Sequence, residues 1–488
     1  MTIDPRTPVI IGAAQVSQRA VDDPEHAPDA IDLMTEAVRA AGADSGANVL
    51  DAIDLIAVVG GLWRYRNPGV LIADELGIEA DGLLTTFGGN LPIHATAVLG
   101  ERIASGELDM VVVSGGECNE TRRRLAAQDK KPRVREETRA DEAESFGPPL
   151  DMGDRVAIER GGEIPFNSYA VLDSAIRASR HESLDEARDR AAALWAGYAA
   201  VAADNPHAAD RRGMSSAKIR EPSPTNRMVA WPYTKAMCAN NHVDQAAALI
   251  LCASETADRL GVPEERRVYP HLCVTAHDTL TLVDRENVAE VPGLEAAAAE
   301  LRSRLGDIDT IDHIDLYSCF PSIVTLTSGA LGLTPGRRLT VNGGLAFAGA
   351  PLNFAAGQAL VAMVHTLRAD PGSRGLVQGN GGHATKHALG VYSTTAPERP
   401  SELVDLGPKG TPRPIVGPDH VGTGTMLGAT VEYDAHGPTR AIAIVEYDDG
   451  GRSWANSSDP EIMQLITQEE TVGLAVHVEA GEMTLHAR

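Results

Sequence analysis

Apolar and polar positions along the first 118 residues switch between two periods. The run PVIIGA, residues 8–13, is continuously apolar and predicts a strand. Apolar residues then recur at helical spacing over Ala30–Ala41, with Asp29 placed as an N-cap. IDLIAVVGG, residues 53–61, predicts a strand buried on both faces and closed by glycines. A further strand is expected at 83–87, a helix over Asn90–Ser105 and a buried strand over Met110–Ser114. Strands alternating with helices at this spacing predict an α/β domain with a parallel-type sheet.

The pattern breaks over residues 119–235, which are charged, rich in Arg and Pro, and read as mostly helical, with one long helical stretch from Ser174 to Ala203. The sheet pattern returns in VDQAAALILCASETADRLG, residues 243–261. The second half then repeats the first. TIDHIDLYSC (310–319) echoes DAIDLIAV (51–58), and Asn353–Gly379 echoes Leu91–Gly115 as helix, short link and strand. After Pro400 the period changes to two. GPKGTPRP (407–414) reads as a linker, and MLGATVEY, TRAIAIVEY, TVGLAVHV and MTLHAR alternate with Gly-containing turns around a short helix at Pro460–Gln468. That predicts a small antiparallel barrel over 405–488.

Composition narrows the function. A chain of 488 residues predicts two or three domains, and 43% apolar content suffices for large cores. The net charge of −25 argues against nucleic-acid binding, so a polyanionic ligand needs a local basic patch. The densest basic run is RRRLAAQDKKPR, residues 122–133. The N-terminus carries no charged-then-apolar signal, and the longest apolar run, Ala246–Ala253, is too short to span a bilayer. Five cysteines without CxxC spacing read as reduced thiols, and the expected location is cytoplasmic. No metal-ligand cluster is apparent; the pair His383 and His387 stands alone.

The most distinctive stretch is VNGGLAFAGAPLNFAAGQAL, residues 341–360. Asn342-Gly343-Gly344 predicts a turn that glycines fill at least cost, and Gly349-Ala350-Pro351 a second tight passage before a helix from about Asn353. This stretch resembles the NxxGGxxAxGHP segment of thiolases, and VDQAAA (243–248) resembles their DGAAA segment, with Gln245 in the Gly position. Together with the internal repeat, the resemblance covers about residues 5–396 and is nearest to the sterol-carrier-protein-type thiolases. It implies a duplicated thiolase fold, two βαβαβ-type halves in five layers α-β-α-β-α. The halves are placed at 1–118 with 236–262 and at 263–398, the loop domain at 119–235 and an additional OB-like domain at 405–488.

The resemblance also implies departures at the chemistry. The thiolase nucleophilic Cys falls at Gly89, inside FGGNLP, with no thiol or hydroxyl within two residues. The GHP histidine is Ala350. The NEAF or HDCF motif reads Tyr317-Ser318-Cys319-Phe320, so Cys319 matches the acid/base cysteine of the sterol-carrier type. The CxGGG stretch is VQGNGGHATKH (377–387), with Val377 near the Cys position. Candidate catalytic residues are therefore Cys319, Tyr317, His383 and His387. Gly89, Asn342, Gly379, Asn380 and Gly381 are candidates for oxyanion or backbone contacts. Arg122, Arg123, Arg124, Lys130 and Lys131 are candidates for the ADP phosphates of CoA.

Each has a plainer alternative. Cys319 suits a small core residue, Tyr317 a packed aromatic, the histidines a solvent-facing turn and the basic run a solvated face. The implied ligand is CoA or an acyl-CoA, with no tightly bound cofactor. Three functions stay open: a thiolase-like acyltransferase-family protein without ordinary thiolase activity, a retro-aldol lyase using Tyr317 and Cys319, and a non-catalytic carrier or assembly partner. The family pairs as homodimers through an N-half sheet edge; a monomer is the alternative here.

Overall fold

The computed structural model describes residues 3–19, 21–137, 142–147, 155–399 and 401–485. Parts of the predicted loop domain at 138–141 and 148–154, and His486–Arg488 of the last predicted strand, lie outside the described residues. The first sheet takes β1 (Pro8–Gln18), β2 (Leu55–Val58), β3 (Asp81–Thr85), β4 (Met110–Cys118) and the short β5 (Glu144–Phe146). After β6 (Met228–Ala230) and β7 (Tyr233–Thr234), β8 (Asp244–Ala253) returns to this sheet, whose order is β1-β8-β4-β2-β3-β5. The sheet is mixed rather than parallel: β8 runs antiparallel to both β4 and β1. The chain leaves for the insertion at the end of β4 and comes back beside that end, so β8 can only run the other way.

Helix α1 (Ala30–Asp44) begins at Asp29, whose side chain accepts from the Asp32 N–H in a reciprocal capping box. With α2 (Pro68–Leu76) it covers the outer face of this sheet. Helix α3 (Leu91–Ala104) lies on the inner face. The insertion holds α4 (Asn119–Ala126), α5 (Arg155–Arg160), α6 (Pro165–Ser179), α7 (Leu184–Asp204) and α8 (Ser216–Arg220); α9 (Ser254–Leu260) follows β8. The long helical stretch expected over Ser174–Ala203 is carried by two helices, the end of α6 and α7. They part at residues 180–183, where Ser183 caps α7 and Glu186 bonds back to the Ser183 N–H.

The second sheet has order β10-β11-β12-β9-β13, from β9 (Tyr269–His277), β10 (His313–Asp315), β11 (Arg374–Gly381), β12 (Lys386–Ser393) and β13 (Glu402–Pro408). Its first four strands reproduce the arrangement β2-β4-β8-β1. In both sheets a parallel pair is followed by two antiparallel ones. Both outermost antiparallel pairs also carry a bulge, at Ile10/Gly12 and at Val391/Tyr392. Outside this sheet lie α10 (Pro292–Leu305) and α11 (Pro321–Leu331). The short α12 (Gly344–Phe347) precedes α13 (Ala355–Ala369), which sits with α3 between the two sheets. The layers are thus α-β-α-β-α, and the expected linker at 407–414 begins inside β13.

The C-terminal strands β14 (Gly422–Tyr433), β15 (Pro438–Tyr447), β16 (Arg452–Ser457), β17 (Ala475–Glu479) and β18 (Glu482–Leu485) close into a ring, β14-β15-β16-β18-β17-β14. Four seams are antiparallel and one, β16 to β18, is parallel, because α14 (Pro460–Gln468) carries the chain across before the final hairpin. The barrel has its own core, with Met426, Val431, Val445, Ile462 and Met483 fully or almost fully buried. Its β14 packs on α6: Ala429 N–H donates to Ser174 Oγ at 2.8 Å, and Gly428 lets the strand close on the Val171 carbonyl.

Candidate functional site

The chain reaches Gly89 from the end of β3, and α3 starts two residues later with Pro92 in its first turn. A Cβ placed on Gly89 would lie 2.5 Å from the Tyr317 hydroxyl oxygen and 2.5 Å from the Asn380 carbonyl oxygen. Both are far inside van der Waals contact, so the Tyr317 phenol fills the space a side chain at position 89 needs. The end of β11 closes the other wall: a Cβ on Gly379 would meet the Asn90 backbone, and one on Gly381 the Asn90 side-chain oxygen. Asn90 Oδ1 and Asn380 Oδ1 are both buried with no hydrogen-bond donor.

Tyr317 and Cys319 leave the end of β10 together. Tyr317 N–H donates to Gln378 Oε1 at 3.2 Å, and Cys319 lies beside the hydroxyl of Tyr169 on α6. The same hydroxyl accepts from Asn380 Nδ2 at 2.9 Å and Ala384 N–H at 3.0 Å, and donates to the Gly382 carbonyl at 3.0 Å. The Tyr169 ring stacks on Phe320 at 4.7 Å, and Phe320 on Tyr233 at 5.6 Å. Tyr169 carries no motif of its own; the available signal was a second aromatic, one turn beyond Phe166, in the helix PFNSYAVLDSA.

Burial sets the charge state of this cluster. It raises both phenols, Tyr169 and Tyr317, and pushes the Cys319 thiol up to about 12. It lowers His383 to about 4, against a bond to the Glu163 backbone. Near neutral pH the site is therefore a set of uncharged hydrogen-bonding groups, not a thiolate beside a cation.

His383 edges onto Tyr169 with ring centroids 6.2 Å apart, and its Nε2 is buried without a partner. His387 is fully buried on β12 and pairs through Nε2 with Asp278 Oδ2 at 3.2 Å. Neither histidine faces solvent. Behind the turn, the buried Arg285 donates to the carbonyls of His383 and Ala384 at 3.1 and 2.9 Å. Ala384 itself has φ 55°, a left-handed backbone that this network holds in place.

Asn342 sits apart from the cluster, held by Asn205 Nδ2 at 2.8 and 2.9 Å and by Asp315, beside the positive-φ turn of Gly343 and Gly344. Ala350 is buried, and its N–H donates to the Asn240 carbonyl at 3.0 Å. The Gln245 side chain abuts the neighbouring Gly349, so it occupies part of the ground beneath this loop. In the basic run, Arg123 pairs with Glu120 at 2.7 Å and Lys130 with Glu25 at 3.1 Å; Arg124 donates to the Val21 and Asp22 carbonyls. Arg122 leans toward the buried carboxylate of Glu117, and Lys131 is exposed.

A groove of about 1090 Å³ opens instead on the insertion, with Arg212, Lys218, Arg227, Lys235 and His242 in its lining against Asp210 and Glu221. Its inner end, residues 238–240 and 346–347, backs onto the site. Ala239 N–H donates to the Cys319 carbonyl at 3.0 Å, and Asn240 accepts from Ala350.

No family model matches the chain, and no curated protein matches it. Among solved structures it is similar, at 29% identity and TM-score 0.82, to a monomeric SCP2-thiolase-like protein type 1 from Mycobacterium smegmatis, covering 99% of this chain and 100% of that one. It is also similar to an acetyl-CoA acetyltransferase from Syntrophomonas wolfei, at 16% identity and TM-score 0.57 over 80% of this chain and all of that one. A third is the Ltp2-ChsH2(DUF35) aldolase, at 17% identity and TM-score 0.56 over 79% and 98%. The chain belongs to the thiolase superfamily. Within it, the barrel is a part shared with the full-length relative, whose similarity runs to both ends of this chain.

Proposed function

We propose that this protein binds CoA or an acyl-CoA and does not carry out ordinary thiolysis or Claisen condensation. One observation carries the second half: the Tyr317 hydroxyl stands where a nucleophile at position 89 needs its side chain, so no acyl group can be accepted there. The first half draws on the cationic groove, in a chain of net charge −25, whose inner end is one hydrogen bond from Cys319 and Ala350. Phosphates fit the Lys and Arg rim, and a pantetheine arm reaches inward past residues 238–240. The groove suits this role better than the Arg122–Lys131 run, most of whose cations are taken up by neighbours.

Calorimetry with CoA tests the binding. Removing both Lys218 and Lys235 as alanines is expected to weaken it about tenfold, roughly 1.4 kcal/mol. Incubation with acetoacetyl-CoA and CoA is expected to give no acetyl-CoA; normal turnover refutes the reading.

A second reading is favoured by the two orphan acceptors, Asn90 Oδ1 and Asn380 Oδ1, beside neutral phenol and thiol donors. Acceptors of this kind suit a substrate hydroxyl. A retro-aldol cleavage of a β-hydroxyacyl-CoA passes that hydroxyl proton to a base, for which the neutral His383 with its unpartnered Nε2 is the candidate, breaks the Cα–Cβ bond to release a carbonyl compound, and returns a proton to the thioester enolate. Tyr317 and Cys319 are the donors within reach of such an enolate. Full activity in Tyr317→Phe, on any hydroxyacyl-CoA that the wild type cleaves, rules this reading out.

A further inference from the structure

We infer that Asn380 is a specificity-determining residue of this site: its side chain offers a ligand an acceptor and no donor, and Tyr169 is the positioning residue that locks it that way. The argument starts from the inventory of a phenol: one O–H to give and two lone pairs to receive. The Ala384 N–H, at 3.0 Å, can only donate to the Tyr169 hydroxyl, and the Gly382 carbonyl, at 3.0 Å, can only accept from it. The single proton therefore goes to Gly382, and one lone pair is left over. Asn380, at 2.9 Å, fills it with Nδ2. Turning the amide over would set two acceptors, Oδ1 and the Gly382 carbonyl, against one proton. Oδ1 is thus held on the arm away from the phenol. There it is buried, and among the described residues nothing donates to it.

Both sides of the lock are fixed. The Tyr169 ring lies on Phe320, and the Tyr169 carbonyl accepts from Tyr233 Oη at 3.1 Å and Ser322 Oγ at 3.2 Å. Asn380 is 2% exposed and stands opposite His387 in the β11–β12 ladder, and Arg285 braces the turn between the two strands from behind. A buried acceptor without a donor is costly, and only a ligand group with a hydrogen to give relieves it. A hydroxyl does so. An oxo group sets lone pair against lone pair, and a methylene leaves the acceptor bare. The site therefore reads the direction of a hydrogen bond, and a thioester with a 3-hydroxyl fits it where a 3-oxo one does not.

This inference rests on the reading that the site takes a CoA thioester, and its test separates the two. The full chain is titrated by calorimetry with both enantiomers of 3-hydroxybutyryl-CoA, with acetoacetyl-CoA and with butyryl-CoA, which differ only at C3. The better hydroxyl enantiomer is expected to bind about tenfold more tightly than either of the others. In Asn380→Leu the three kinds are expected to converge to within about threefold. In Tyr169→Phe the amide is free to turn, so acetoacetyl-CoA gains on the hydroxyl compound; a ring kept only for packing would weaken all of them alike, and an unchanged ratio overturns the role of Tyr169. Equal binding by the wild type, or tighter binding of acetoacetyl-CoA, overturns the inference and leaves CoA binding standing. A hydroxyl preference that survives Asn380→Leu does the same. No binding by any of these thioesters overturns both. Should neither variant fold, the wild-type order decides.

Discussion

At position 89 a hydrogen atom stands where a side chain is expected, and Tyr317 has taken up the space. The two residues belong to different halves of the fold, and each makes sense only with the other. Gly89→Ala is expected to cost about 1–3 kcal/mol, because backbone on one side and a buried phenol on the other leave little room to yield. Thermal unfolding measures it, and Gly89→Cys is expected to give no acyl-enzyme by intact-mass analysis. Glu117 makes a second residue-level case. It is 1% exposed; Oε1 accepts from the Leu62 N–H at 2.7 Å, and Oε2 has no partner. Burial raises its carboxyl to about 7. A folded-state value above the unfolded one means that its contribution is fully present below about 4.5 and lost as pH rises through about 7. His383 runs the other way, with a contribution present above its ordinary value and lost as pH falls toward about 4. Glu117→Gln keeps the acceptor for Leu62 and removes the charge. It is expected to stabilise the protein by roughly 2 kcal/mol at about pH 8 and to change little at about pH 5, read by denaturant titration at both.

Among the elements, those whose signal is local were legible. Asp29 capped α1 as its sequence predicts, and the buried strands β2 and β4 fell where continuous apolar runs lay. The helical stretch over Ser174–Ala203 was legible but the position of its break was not, because Ala and Arg favour helix on both sides of it. The S-x-x-E spacing of Ser183 and Glu186, which marks it, was present but not weighed. Strand direction was harder still. Nothing inside β8 says that it runs antiparallel; only the side on which the insertion returns does. Strand β5 has a similar long-range origin. It pairs in parallel with β3, Leu83 opposite Glu144 through Thr85 opposite Phe146, and so covers one edge of the N-half sheet that would otherwise be open. A monomer is therefore expected over the homodimer, in line with the monomeric relative from Mycobacterium smegmatis. Light scattering across a concentration series checks it; a stable dimer mass contradicts it.

For the molecule as a whole, the duplicated α/β core and the appended barrel could be read from periodicity and repeats, whereas the site could be read as two absences beside a few motif residues, Tyr317, Cys319, Asn380 and His383. Gly89 and Ala350 announce what is missing. What stands around it, Tyr169 on one wall and Arg285 behind the 383–384 turn, comes from segments with no motif of their own, and only the packed fold brings them together. Helix α6 is the piece with consequences beyond the site. One side carries Tyr169 to the 382–384 turn; the other bears Val171 and Ser174 against the barrel wall. A helix is about 10 Å thick. An antibody, a protease cut or a docked protein on the barrel would thus sit a single cylinder's width from the Tyr169 hydroxyl, and whatever displaces that cylinder pulls on Asn380 and the 382–384 turn without entering the core.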